Sequence, residues 1–168
     1  INGAAITRGS SWLKDSLGKQ VLPSTCKLVE NPHRLRAGAS RLFDSEGLAT
    51  KKREILSKGV LNGWTLDLAS ARKLGMRPTA NASRNVSSNP SLTNWNIELS
   101  APEDYCDNLL SEMGNGLLVT SLIGSTINPN TGDYSRGVSG FWVENGQICY
   151  PVSEITIAGN LRDMLKKI

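Results

Sequence analysis

The chain has 168 residues, a length that suits one globular domain with a sizeable core, and its 39% hydrophobic and 20% charged residues are ordinary for such a domain. No apolar run approaches the roughly 18 residues of a membrane span. Charge is unevenly placed: residues 1–84 hold 15 Lys and Arg against 6 Asp and Glu, a net of +9, while residues 85–168 hold 4 against 9, a net of −5. The basic residues are scattered and only Lys51, Lys52 and Arg53 cluster, so no nucleic-acid partner is expected from them. Cys26, Cys106 and Cys149 are an odd number at wide spacing, which points to free thiols in a reducing compartment. His33 is the only histidine and reads as a loop residue.

Residues 1–6 read as the end of an element that begins earlier, and the start at Ile1 without methionine fits a piece of a longer protein. A turn at 15–21, a loop at 30–40 and a second turn around Glu46-Gly47 follow. Residues 51–66 predict a hairpin with Asn62-Gly63 as its turn, joining 54–61 to 64–66. Asp67 is placed to cap a helix over 68–74, and Gly75 to close it in the left-handed conformation. Arg72 and Lys73 lie where the helix dipole favours cations. Residues 76–96 are polar, carry two prolines, and predict a surface loop leading into a strand at 95–99. The sequon Asn85-Val86-Ser87 is read as chance.

Ser100-Ala101-Pro102-Glu103 is a capping box, and Tyr105, Leu109 and Met113 share one stripe of the helix it opens, with Cys106 and Leu110 beside it and Gly114 at its end. The apolar run 116–123 predicts a buried strand. A polar loop over 128–140 then delivers the chain into a hairpin centred on Asn145-Gly146, a dipeptide suited to a type I′ turn. An unbroken ladder would pair Glu144 with Gln147, Val143 with Ile148, Trp142 with Cys149 and Phe141 with Tyr150, making Cys149 a small buried side chain. Asn160 caps a last helix through Ile168. Strands outnumber helices without β-α-β alternation, so the pattern predicts an α+β fold dominated by antiparallel sheet.

Chemistry is sparse. There is no H-E-x-x-H, no phosphate loop and no nucleophile elbow. The one dense constellation is Asp133, Tyr134, Ser135 and Arg136, an acid, a phenol, a hydroxyl and a guanidinium between two glycines. It can engage a peptide backbone or carboxylate. It can equally be structural, with Asp133 in an Asx turn and Arg136 paired to Asp133 or Glu154.

The stretch TGDYSRGVSGFWVENG followed by YPVSEITIAGNL resembles the C-terminal domain of the TldD/PmbA family, in its PmbA (TldE) branch. SSWLKDSLGKQV, DSEGLATKKREILSKGVLNGW, SARKLGM and MGNGLLVTSLIG agree in order, so the resemblance covers nearly the whole chain. It implies a single domain over 1–168, a curled, barrel-like antiparallel sheet with short helices packed outside, and an N-terminal domain absent from this chain. Where the family reads Thr-Gly-Asn this chain has Thr79-Ala80-Asn81, which adds Asn81 to the peptide-binding candidates and puts the local backbone in question.

TldD-type members are zinc peptidases with H-E-x-x-x-H on a helix and a later cysteine ligand. The match places that helix just before Ile1 and the cysteine after Ile168. The resemblance therefore implies no catalytic residue, metal ligand or cofactor in this chain, with zinc held by a partner subunit. It implies a cytoplasmic, non-catalytic subunit of a metallopeptidase system that degrades or matures small or unfolded polypeptides. Such a subunit would bind peptide and assemble as a homodimer, or as a heterodimer with a zinc-bearing TldD-type subunit. Two alternatives stay open: a zinc peptidase active on its own through ligands outside this chain, and a non-hydrolytic regulator, of the DNA gyrase modulator kind, that binds protein or nucleic acid.

Overall fold

The computed structural model describes residues 1–101 and 106–168, and its coordinates fall into two compact units. The first comprises Ile1–Ala101 with Leu165–Ile168. It opens with α1 (Gly3–Thr7), whose first free amides, those of Ala4 and Ala5, donate to the Asn2 side chain. Its main sheet is built from β1 (Lys27–Glu30), β2 (Arg53–Ser57), β3 (Val60–Leu61) and β6 (Ile97–Ser100) in the order β3-β2-β1-β6, antiparallel throughout. Between β3 and β6 lie α2 (Leu68–Leu74) and a small two-stranded ribbon of β4 (Ala82–Ser83) and β5 (Ser91–Leu92). The core gathers Leu22, Cys26, Ile55, Leu56, Leu61, Trp64, Leu66 and Ala71, with Ile55 and Leu61 wholly buried.

The helix signals hold: Asp67 accepts from the Ser70 amide at 2.7 Å, and Gly75 closes α2 at φ 63°. The hairpin turn does not sit at Asn62-Gly63. Lys58 (φ 50°) and Gly59 (φ 73°) turn the chain, and Leu56 pairs with Leu61 and Ser57 with Val60. Burial explains the choice, because this register drives Leu56 and Leu61 into the core, and Trp64 to Leu66 then pack as buried coil. The 76–96 segment is not one loop either, since the β4–β5 ribbon interrupts it and Trp95 is buried ahead of the strand. Ala80 takes φ 57°, the left-handed conformation that glycine accepts without strain and alanine does not.

The second unit, Pro102–Met164, is a meander. Helix α3 (Cys106–Met113) ends at Gly114 (φ 63°), and β7 (Gly116–Ile127), β8 (Asp133–Glu144) and β9 (Gln147–Asn160) follow in the order β7-β8-β9 before one turn of α4 (Leu161–Met164). Of the capping box, Ser100 ends β6, while Pro102 and Glu103 lie outside the described residues, as does Tyr105. Asn145 (φ 50°) and Gly146 (φ 75°) make the tight turn, and Glu144 pairs with Gln147 and Val143 with Ile148 as the dipeptide requires.

Beyond that point the register slips. Trp142 faces Tyr150 and Phe141 faces Pro151, because Cys149 is the extra residue of a bulge and is exposed rather than buried. A second irregularity near Glu154 (φ 59°) shifts the ladder again. The loop expected over 128–140 is also corrected: only 128–132 turns the chain, and Asp133 onward is strand. Likewise β7 is a strand but not a buried one, with Ile123 66% exposed, and the last helix is a single turn because Asn160 still belongs to β9.

The fold is thus mostly antiparallel sheet with few short helices, and among the described residues no sheet closes into a barrel. Among the described residues no helix is long and apolar enough to cross a membrane.

Candidate functional site

Where β8 begins, the turn 128–132 is shaped by its own side chains. The Asn128 carbonyl side chain accepts from the amides of Asn130 at 3.0 Å and Thr131 at 3.4 Å, an Asx-type turn, and the Gly132 amide donates to the Asn128 backbone oxygen. Asp133 then receives the Thr131 hydroxyl at 2.6 Å on one oxygen and the Asn160 amide at 3.0 Å on the other. Asn160 donates also to the Thr131 carbonyl, and its oxygen accepts from the Arg162 amide. The end of β9 is in this way stitched to the start of β8.

These bonds favour the ionised carboxylate. The Thr131 hydroxyl first, then the Asn160 amide and the Arg162 charge, hold Asp133 below the usual aspartate range. Asp133 is depressed in the folded state, so its contribution to stability is present at neutral pH and is lost as pH falls through the folded-state value. Carbon NMR titration of the Asp133 carboxyl is expected to give a midpoint below that of an unstructured aspartate. Thr131→Val is expected to raise it, because it removes the largest single cause.

A groove of about 330 Å³ runs beside this network, lined by Thr126, Asn128, Asp133, Tyr134, Ser135, Ala158 and Gly159. Its walls come from three strands in register: Ser135 lies between Thr126 and Ala158, and Tyr134 between Ile127 and Gly159. Tyr134 is half-buried, and Asp133 and Ser135 are exposed. The surface of the groove is almost wholly apolar. Because neighbours on a strand alternate faces, the Asp133 carboxylate and the Ser135 hydroxyl share one face of β8 and the Tyr134 phenol lies on the other.

Of the residues singled out from sequence, the structure sets Asp133 and Ser135 on one face of β8, with Tyr134 and Arg136 on the other. The Arg136 guanidinium donates to the Gly124 carbonyl, where the β7 ladder is irregular, and its Nε is buried without a partner among the described residues. Neither Asp133 nor Glu154 pairs with it; the ion pairs among the described residues are Lys27–Glu54 and Arg53–Glu30. Asn81 lies in the first unit, wholly buried, with its amide on Glu30 at 2.7 Å and on the Thr93 carbonyl. Sequence reasoning missed Asn160 as a partner of Asp133, reading it only as a helix cap. The Asn145-Gly146 turn carried the signal, but the two bulges in β9 displace the pairing by two residues before it reaches Asp133.

Among the described residues no three His, Cys, Asp or Glu side chains come together, and His33 is exposed with its Nε2 3.0 Å from the Thr50 hydroxyl. Cys26 and Cys149 are free thiols, and the Cys106 side chain lies outside the described residues.

Comparison with known proteins gives a consistent result. The family described as PmbA/TldA metallopeptidase C-terminal domain matches residues 1–168. The metalloprotease PmbA of Escherichia coli O157:H7 is 49% identical over the whole chain, and the PmbA homolog of Haemophilus influenzae is 51% identical. The chain spans only 35% and 36% of those two relatives, about a third of their length. Among solved structures, a protein of Bacteroides thetaiotaomicron described as a modulator of DNA gyrase superposes with a TM-score of 0.82 at 33% identity, over 98% of this chain and 35% of that one. TldE from Thermococcus kodakarensis shares the fold with a TM-score of 0.79 at 22% identity, over 98% of this chain and 38% of that one. The chain belongs to the PmbA/TldD metallopeptidase family and carries its C-terminal domain.

Proposed function

We propose that this chain is the peptide-engaging part of a PmbA/TldD-type metallopeptidase system in the cytoplasm, in which zinc and hydrolysis belong to a partner subunit. The observation that carries the reading is the groove at the start of β8. It sets a pre-formed Asp133 carboxylate and the Ser135 hydroxyl on one face of a three-stranded base beside an apolar hollow, and the described residues bring no metal-ligand set together. Rigid walls limit the ordering entropy that binding costs. Backbone amides of an extended peptide can donate to Asp133, and its carbonyls can accept from Ser135 on the same face. The names borne by the relatives, metalloproteases and modulators of DNA gyrase, fit a polypeptide substrate or partner.

Filling the groove tests this. Ser135 is exposed on a strand, so Ser135→Trp is compatible with the fold and occludes the space. In the assembled peptidase, with the zinc-bearing subunit present, peptide turnover is expected to fall by roughly tenfold or more, an energetic loss of about 1.4 kcal/mol, while subunit association stays unchanged. Unchanged turnover with the tryptophan seated in the groove contradicts the reading.

A further inference from the structure

The first unit holds a second surface with a chemistry of its own. A groove of about 350 Å³ is lined by Arg41, Phe43, Asp44, Ser45, Ser83, Arg84 and Trp95. Arg41 lies over the Trp95 ring at 5.7 Å from its centroid, and Nη1 is held by the Gly38 and Ser40 carbonyls, so the guanidinium is fixed in place. Arg84 is exposed and makes no ion pair among the described residues. Phe43 leaves 66% of its surface open. The acid in this groove is already engaged: Asp44 accepts from the amides of Glu46, Leu48 and Ala82 and serves to hold the turn.

Across the Phe43–Ala49 bridge lies a larger groove of about 520 Å³, which includes Lys51, Lys52, Thr79 and Ala80. Lys51 and Lys52 are exposed and likewise form no ion pair among the described residues. Phe43, Asp44 and Ser45 line the first groove, and Leu48 and Ala49 line the second. The two grooves therefore flank one turn. The unit that carries them is strongly basic, since residues 1–101 hold 15 Lys and Arg against 7 Asp and Glu.

We infer that this face is a docking site for an acidic, extended peptide segment, with carboxylates on Arg84 and the Lys51–Lys52 pair and an apolar side chain against Phe43. Arginine forks suit carboxylates, and charge complementarity of this kind raises encounter rate and selectivity. A single-stranded nucleic acid fits less well, because it needs successive stacking faces along a cationic track. Here Phe43 is the one open aromatic face in the groove, since Trp95 is 7% exposed and lies under Arg41. The site lies within the first unit, whereas the groove at Asp133 belongs to the second.

Fluorescence anisotropy on the full chain tests the inference with three probes: a labelled peptide alternating Glu with Ser and Phe, its Gln-for-Glu counterpart, and a single-stranded oligothymidylate. The Glu peptide is expected to bind at least about tenfold more tightly than the Gln peptide, and to weaken as salt shortens the Debye length from about 30 to about 8 Å. Arg84→Ala is expected to weaken the Glu peptide by roughly tenfold, with Arg84→Lys restoring part of that, and the Lys51→Ser/Lys52→Ser double variant to weaken it similarly. Ser135→Trp is expected to leave it unchanged, which separates this site from the one at Asp133. Equal binding of the Glu and Gln peptides, or indifference to Arg84→Ala, overturns the inference. So does loss of the Glu peptide in Ser135→Trp, or Arg84-dependent oligothymidylate binding tighter than that of the Glu peptide.

Discussion

Glu30→Ala is expected to destabilise the first unit by about 3–5 kcal/mol, read as a lowered urea midpoint for loss of its tryptophan signal. Glu30 is 1% exposed and serves three donors: Arg53 Nε at 2.6 Å on one oxygen, and the Asn81 amide and the Trp95 backbone N–H, each at 2.7 Å, on the other. Arg53 extends the network to the Trp64 carbonyl and the Thr65 hydroxyl, which donates in turn to Asn94. A buried ion pair adds little net stability when weighed against a well-packed apolar replacement. Removing one partner is another matter, because it leaves a half-buried guanidinium without its counter-charge and two buried N–H groups unsatisfied. Glu30→Gln is expected to cost less than Glu30→Ala but still to destabilise, since one side-chain atom then becomes a donor facing donors.

Gly59→Ala is expected to destabilise by roughly 2–5 kcal/mol, from about 1–2 for the left-handed backbone and about 1–3 for overpacking. Gly59 sits at φ 73°, and a Cβ there would overlap the Leu22 carbonyl oxygen and lie 2.5 Å from that of Pro23. Neither backbone atom can yield easily, because the amides of Val21 and Leu22 donate to the Gly59 carbonyl and the Gly59 amide donates to Cys26. Gly9 is the control: its φ is 70°, but nothing lies within 4 Å of the Cβ position. Gly9→Ala is therefore expected to cost only the backbone share, about 1–2 kcal/mol, and thermal denaturation of the two variants side by side separates strain from collision.

Local signals were legible in the sequence wherever a single residue's chemistry decides the geometry. Asp67 and Gly75 bracket α2 because a carboxylate accepts free amides and glycine tolerates positive φ, and Asn145-Gly146 turns the chain for the same reason. Asn62-Gly63 is as good a turn by propensity, yet Lys58-Gly59 prevails, since only that register buries Leu56 and Leu61 together. The bulge at Cys149 leaves no local mark, and one extra residue moved that side chain from the expected interior to solvent.

The candidate site was half legible. Asp133, Tyr134 and Ser135 stood out by density, but their alternation along β8, the loss of Arg136 to the Gly124 carbonyl and the pairing of Asp133 with Asn160 depend on a register that two bulges set. Asn81 stood out only through the motif it belongs to. Its burial against Glu30 joins residues 51 positions apart, a contact no local pattern encodes.

The most direct test of the peptide-engaging groove is amide chemical-shift mapping of this chain during titration with an uncharged, unstructured peptide. The largest shifts are expected at Asn128, Asp133, Tyr134, Ser135, Ala158 and Gly159, which share the groove. Shifts confined to other residues, or none at saturating peptide, would contradict the assignment of that groove to polypeptide binding.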